Sequence, residues 1–438
     1  MSWSSLMAET RPLIRFGSRT VSYNRELALA SSIAAALPAA PSALNLCERR
    51  ENFLAGFAAL LMRGQACLLP PSRAPAVVAE VQQEHPGCYR LDDAMVEKCR
   101  DEAGARPHDV LVAAPAPPPE RVVVVGYTSG STGRPKANPK TWGSLVASTR
   151  FNAARLREAL GERWKGGLPW ILATVPSQHM YGMETAVLLP LVGRMGLHGG
   201  HPLYPADITT TLRELPEPRV LVTTPVHLRA LLRSGIELPP LGAVVSATAP
   251  LLREMAAEVE KRFDTILLEF FGSTETCVIA SRRTAVETAW RPYPGVVIHP
   301  GEDCTRIAAP WLAGEVVLQD MLEVQPDGGF VVLGRNSDMV EVGGKRASLA
   351  DLTRRIASIP GVTDAVVFQP DATVGAVVQR LAALAVVEGL TEAELLARLA
   401  PLVDPVFLPR PLVLVPRLPR NELGKLPREQ LLAALQHR

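Results

Sequence analysis

Tyr127-Thr128-Ser129-Gly130-Ser131-Thr132-Gly133-Arg134-Pro135-Lys136 directly follows Val122-Val123-Val124-Val125. Four consecutive valines read as a buried strand. A strand that empties into serine, threonine and glycine and ends in a cation is suited to holding phosphate. Glycine lets the backbone approach an anion closely, successive N–H groups can form an anion-binding concavity, and hydroxyls add donors. Lys136 brings a positive charge to the far end. The loop is not of the Gly-x-x-x-x-Gly-Lys-Ser/Thr type, because Gly133 is followed by Arg134-Pro135-Lys136. A flexible linker shares the small residues but not the valines before them or the Arg-Pro-Lys after them.

This stretch resembles the phosphate loop of the adenylate-forming superfamily: acyl- and aryl-CoA synthetases, the adenylation domains of peptide synthetases, and luciferase. Further motifs follow in the family's order between Ser22 and Leu431. Phe271-Gly272-Ser273-Thr274-Glu275 matches the family's aromatic followed by Gly-x-Thr-Glu, although alone it also reads as a capped helix start. Val316-Val317-Leu318-Gln319-Asp320 matches Thr-Gly-Asp with Leu318-Gln319 in place of Thr-Gly, and the expected turn follows at Pro326-Asp327-Gly328-Gly329. Gly334-Arg335-Asn336-Ser337-Asp338 is the next match, and Pro419-Arg420-Asn421-Glu422-Leu423-Gly424-Lys425-Leu426-Pro427-Arg428 is the last.

The resemblance implies a role for each matched position. Thr128, Ser129, Gly130, Ser131, Thr132, Gly133 and Lys136 hold the phosphates of ATP. Phe271, with Gly272 beside it, stacks on adenine, Thr274 bonds the α-phosphate, and Glu275 holds Mg²⁺, a hard cation that takes carboxylate oxygen. Asp320 accepts from the ribose hydroxyls and Arg335 reaches ribose and phosphate. Ser337 is the hinge, a small residue able to absorb a backbone rotation. Lys425 is the mobile catalytic cation. His179 and Gly182, in Pro176-Ser177-Gln178-His179-Met180-Tyr181-Gly182, line the acid pocket, although His179 also suits a cap at a strand-to-helix turn. Ala247-Thr248 stands where relatives have Gly-Gly, so two added side chains narrow that pocket.

Helical spacing is expected over residues 23–37, 53–62, 142–160, 351–359 and 392–402. Strands are expected over 66–69, 171–175, 220–223, 243–245, 365–368 and 381–387. The implied architecture is α/β, a large N-terminal domain of layered sheets and helices over 1–336. A small mobile α+β lid over 337–438 follows. The region from 20 to 110 is shorter than in typical members, and residues 113–119 form a Pro-rich connector.

Composition fits a soluble enzyme: 47% hydrophobic and 21% charged residues, and a formal net charge of +2, which implies neither nucleic acid nor an anionic membrane as partner. No apolar run approaches membrane-spanning length, and residues 1–6 lack the pattern of a signal peptide. The six cysteines (Cys47, Cys67, Cys88, Cys99, Cys277, Cys304) are scattered and read as reduced thiols of a cytoplasmic protein.

The expected activity is that of an ATP-dependent acid–thiol ligase. A carboxylic acid is converted to acyl-AMP with release of pyrophosphate, then passed to the phosphopantetheine thiol of CoA or an acyl carrier protein. The shortened N-terminal region is similar to ligases of aryl-polyene and xanthomonadin-type pigment pathways, which favours an aryl acid such as a hydroxybenzoate. A fatty acyl-CoA synthetase, or a non-catalytic nucleotide-binding protein keeping the fold, stays open as an alternative.

Overall fold

A computed structural model of the chain describes residues 10–104, 116–129, 135–164, 166–301, 304–335, 339–342, 345–370, 380–421 and 424–436. The chain divides into two compact units, Met1–Gly295 with Ala309–Ala313, and Val296–Ala308 with Gly314–Arg438.

The strands of the first unit are β1 (Pro12–Phe16), β2 (Arg19–Ser22), β3 (Ser42–Asn45), β4 (Ala66–Leu69), β5 (Tyr89–Leu91), β6 (Val122–Ser129) and β7 (Pro135–Thr141). After them come β8 (Trp170–Ala173), β9 (Gly196–His198), β10 (Arg219–Thr223), β11 (Ala243–Ser246), β12 (Ile266–Ser273), β13 (Cys277–Arg282) and β14 (Arg291–Pro292). Among the described residues they form a five-stranded sheet, β5-β3-β4-β6-β7, and a nine-stranded sheet, β14-β13-β12-β11-β10-β8-β9-β1-β2. Neighbours β8, β10, β11 and β12 run parallel. Parallel strands need cover on both faces, and every residue of β8 and β11 is buried. Trp170, Leu172, Leu221, Val244 and Leu267 pack there with Ile208, Leu228 and Val259 from helices.

Helices α1 (Tyr23–Ala36), α2 (Arg50–Arg63) and α3 (Trp142–Leu160) fall where apolar spacing places them. The Thr141 side chain caps α3 by accepting from Ser144 N at 3.2 Å. Helix α3 touches strands of both sheets, which gives the layered arrangement expected. Strand β6 runs four residues beyond the valines because β7 pairs with it antiparallel, Thr128 opposite Lys136 and Gly126 opposite Asn138.

The second unit has strands β15 (Val297–Pro300), β16 (Thr305–Ala308), β17 (Val316–Leu318), β18 (Asp320–Val324), β19 (Phe330–Arg335), β20 (Met339–Val342), β21 (Lys345–Ser348), β22 (Val362–Phe368), β23 (Ala382–Val387) and β24 (Leu412–Leu414). Its helices are α4 (Leu349–Ala357), α5 (Glu392–Leu399) and α6 (Arg428–Gln436). Helices α4 and α5 lay Leu352, Ile356, Leu395 and Leu399 on β22 and β23, an α+β core. Thr391 and Glu394 form a reciprocal cap at the start of α5.

The contact boundary lies ahead of the expected 336/337 division. Residues 296–308 and 314–336 group with the second unit, since β15–β17 and β18–β19 form their own small sheets and join neither large one. The hinge expected at Ser337 lies outside the described residues. Among the described residues no helix is long and apolar enough to cross a membrane.

Candidate active site

Strand ends assemble the site in the first unit. Thr223, Ser246 and Glu269 stand in one row across β10, β11 and β12. Val222 pairs with Ala173, which puts Thr174 level with them. The segments carrying His179, Thr248 and Phe271 therefore leave the same carboxyl edge of the parallel strands, where open α/β sheets bind ligands.

Two nucleotide motifs meet at Gly126. A Cβ built on it comes within 2.9 Å of Thr274 Cγ2 and 3.2 Å of Met180 Sδ, so only hydrogen there lets β6 approach the Thr274 turn. Side chains alternate along a strand, and Lys136, Asn138 and Lys140 share the face of β7 that neighbours Gly126 and Thr128 on β6. Thr128 is half-buried, and its Oγ1 accepts from Asn138 Nδ2 at 3.4 Å. Lys136 is exposed and Ser129 closes β6. Gly130, Ser131, Thr132 and Gly133 lie outside the described residues.

The Phe271–Glu275 motif is a bulged strand end and turn. The chain continues as β13, so the reading of this segment as a helix start is corrected. Ser273 does act as a cap, but of a turn between strands: its Oγ accepts from Glu275 N at 3.1 Å and Thr276 N at 3.2 Å. Trp311 Nε1 donates to the Thr276 carbonyl at 3.0 Å. Cys277 then reverses the chain with φ 60, left-handed backbone that a side chain rarely adopts. Thr274 and Glu275 stay half-buried. The Phe271 ring lies 5.2 Å from that of Trp290, and Arg282 covers Trp290 at 4.3 Å.

His179 is half-buried and starts the helical segment 180–191. Its carbonyl accepts from Met183 N at 2.7 Å, but its side chain makes no cap bond. Gly182 has a structural reason to be glycine, since a Cβ would sit 1.9 Å from the Pro176 carbonyl oxygen. Tyr181 OH donates to the carbonyls of Thr223 at 3.2 Å and Val245 at 3.0 Å, tying the segment to the strand ends. Ala247 is buried, and Thr248 has φ 80 with its Oγ1 buried and unpartnered.

Sequence patterns miss several residues that hold this edge. Arg50, almost fully buried, donates to the carbonyls of Ala173 and Val175 at 3.0 Å and to Ser177 Oγ at 3.3 Å; burial brings it down to about 10. His201 Nε2 lies 3.0 Å from the Thr174 carbonyl, and burial, then Arg50, hold it near 4, so the ring is neutral. Lys140 and Glu184 are buried beside the Thr274 turn. A lone glutamate in the apolar run 180–191 is a signal that a partnered carboxylate lies there. Nothing in the sequence separates buried Lys140 from exposed Lys136.

In the second unit Asp320 stands directly opposite Arg335 across β18–β19. Lys425 is exposed on a loop fixed by Asn421: Asn421 Oδ1 accepts from Lys425 N at 2.9 Å and Asn421 N donates to the Lys425 carbonyl at 2.9 Å. Arg420 donates to both carboxylate oxygens of Asp364, at 2.9 and 2.8 Å, and to the Gly424 carbonyl at 2.8 Å. This arginine therefore anchors the lysine loop to β22.

A family model described as AMP-binding enzyme matches residues 54–321. The chain is 26% identical over 370 residues to a sulfoacetate–CoA ligase from Cupriavidus necator, covering 74% of this chain and 69% of that protein. It is 26% identical over 369 residues to a medium/long-chain fatty acid–acyl-carrier-protein ligase from Mycobacterium tuberculosis, covering 70% and 65%. The fold is similar to that of O-succinylbenzoate coenzyme A synthetase from Bacillus subtilis in complex with ATP and magnesium, with TM-score 0.80 and 18% identity over 98% of this chain and 99% of that one.

Proposed function

The chain belongs to the AMP-binding enzyme family, and on that premise we propose that it joins a carboxylic acid to a phosphopantetheine thiol through an acyl adenylate. The enzyme is an ATP-dependent, AMP-forming ligase. In the first step a carboxylate oxygen bonds to the α-phosphorus of ATP and pyrophosphate leaves. In the second, the thiol sulfur bonds to the acyl carbon, AMP leaves, and the thiol proton is released.

The observation that carries this reading is the convergence at Gly126, where the strand feeding the phosphate loop touches Thr274. Thr128, Lys136 and Thr274 then border one space for the phosphates. Glu275, with the Thr274 hydroxyl beside it, fits a magnesium ion that keeps most of its ligands from phosphate and water and needs one or two carboxylates. When bound, the ion neutralises phosphate charge. Phe271 offers its ring to adenine, Asp320 its carboxylate to ribose, and Arg335 and Lys425 positive charge to the phosphates. A rotation at Ser337 brings Lys425 in for adenylation and removes it for thiol transfer.

An aryl acid such as a hydroxybenzoate is the favoured substrate. The shortened N-terminal region, similar to that of pigment-pathway ligases, supports it. Both CoA and an acyl carrier protein stand as acceptors, since ligases of each kind are among the relatives. The test is acid-dependent exchange of labelled pyrophosphate into ATP across aryl and fatty acids, then transfer to CoA or carrier protein. Exchange driven best by an aryl acid supports the reading. Exchange driven best by a fatty acid replaces the substrate, and no exchange with any acid favours a non-catalytic nucleotide-binding protein.

A further inference from the structure

The geometry points to Lys140 and Glu184 as positioning residues that hold the Thr274–Glu275 turn in the shape that binds magnesium and ATP. The inference rests on the functional reading of that turn. Lys140 comes from β7, four residues beyond Lys136, and is 6% exposed. Its ammonium donates to the Glu275 carbonyl, a hydrogen bond spanning 135 residues of sequence. Among the described residues it makes no ion pair within 4.0 Å. One carbonyl compensates poorly for burying an ammonium. An apolar side chain would fill this position of β7 at lower cost, so the cation is better explained by what it grips than by stability.

Glu184 approaches from the other side. It is 2% exposed and lies in the π-helical turn Met183–Leu188. Such turns re-aim side chains and recur at functional sites. One carboxylate oxygen, Oε2, accepts from Ser148 Oγ at 2.7 Å, Val278 N at 3.2 Å and Asn152 Nδ2 at 3.3 Å. Asn152 is held in turn by Tyr293 OH at 2.9 Å. Burial raises the proton affinity of Glu184, and these donors and the field of Lys140 oppose that rise.

The turn is thus gripped at both ends, by the Lys140 ammonium on the carbonyl of residue 275 and by the Glu184 carboxyl on the amide of residue 278. Between them lies the left-handed Cys277, a strained conformation that persists only where surroundings hold it. Fixing both peptide planes fixes the direction in which Glu275 leaves the backbone. Neither side chain has to touch the nucleotide for this to work.

The test uses Lys140→Met, Glu184→Gln and Lys140→Arg in the full chain. ATP binding is measured by titration calorimetry at several magnesium concentrations, a readout that needs no acid and stays valid if the substrate reading fails. Lys140→Met should keep its melting temperature within a few degrees and raise the magnesium needed for half-maximal ATP binding about tenfold, as losses of outer-shell partners do. Glu184→Gln, of nearly the same shape, should shift it in the same direction by less, and Lys140→Arg should recover most of the affinity. Unchanged magnesium dependence in a folded Lys140→Met overturns the inference, and so does a lowered melting temperature with unchanged ATP binding in Glu184→Gln. Absence of pyrophosphate exchange in the unsubstituted protein, with these binding shifts present, would sink the reaction and leave the positioning role standing.

Discussion

Thr248 holds a β-branched side chain at φ 80, where strain amounts to roughly 1–3 kcal/mol. Glycine removes the strain but adds about 0.5–1 kcal/mol of chain entropy to be lost on folding. Thr248→Gly should therefore leave stability unchanged or raise it by up to about 2 kcal/mol, read by urea denaturation. It should also narrow the ratio of kcat/KM values between small and bulky acids, because the pocket wall retreats. A preserved ratio would remove Thr248 from the pocket. Glu26 poses a different problem. It is fully buried beside a cavity of about 300 Å³ that is also lined by Arg19, Arg49, Arg100, Glu51 and Glu97. Burial lifts its carboxyl from an ordinary 4.5 to about 7, Arg100 and Arg19 pulling it down and Glu51 pushing it up. The folded chain therefore binds this proton more tightly than the unfolded chain. Its stabilising contribution is full below pH 4.5 and is lost as pH rises through about 7, a loss of roughly 3 kcal/mol at most. Glu26→Gln should flatten that slope, so its stability relative to the unsubstituted protein should be higher at pH 8 than at pH 5. Parallel pH curves would refute the assignment.

At the scale of elements, the C-terminal motif works as an anchored loop. Two charge-assisted hydrogen bonds fix Arg420 to Asp364 on β22, and both side chains are mostly buried. Asn421 closes the loop around Gly424, whose φ is 76. Asp364→Asn should weaken this anchor without touching Lys425. Adenylation should fall about tenfold or more, because a preorganised cation loses its position, while conversion of supplied acyl adenylate to thioester proceeds. Lys425→Ala gives the reference, with a larger loss in the same half-reaction only. Equal loss of both half-reactions in Asp364→Asn would mean that the second unit itself is damaged. The hairpin β6–β7 combines roles in a similar way: one face carries Thr128 and Lys136 toward the proposed phosphate site and Lys140 toward the turn behind it.

At the scale of the whole molecule, the matched motifs fall in two compact units. The phosphate-loop strand, Phe271 and Thr274–Glu275 belong to the first, and Asp320, Arg335 and Lys425 to the second. The proposed reaction, with Lys425 in one step and not in the other, requires the part of the second unit that carries Lys425 to move relative to Asp320 and Arg335. Ser337→Pro fixes φ near −65° at the proposed pivot. It should suppress one half-reaction far more than the other, measured by pyrophosphate exchange and by thiol transfer from supplied adenylate. Equal effects on both would place the pivot elsewhere.

The sequence by itself determined the family resemblance, the α/β class and the positions of the central elements. Its local patterns are self-sufficient: Ala66–Leu69 and Trp142–Leu160 fall where apolar periodicity puts them. Each motif is short, so its chemistry is legible without the fold. Tertiary structure decided everything that depends on residues distant in sequence. It turned Ser273-Thr274-Glu275 from a possible helix cap into a turn between strands, because β13 pairs back on β12. It assigned Gly182 to a close backbone approach, and it buried Lys140 while leaving Lys136 in solvent. A lysine's burial depends on what packs over its strand, here a turn 135 residues away. No periodicity of two or of 3.6 residues carries that information.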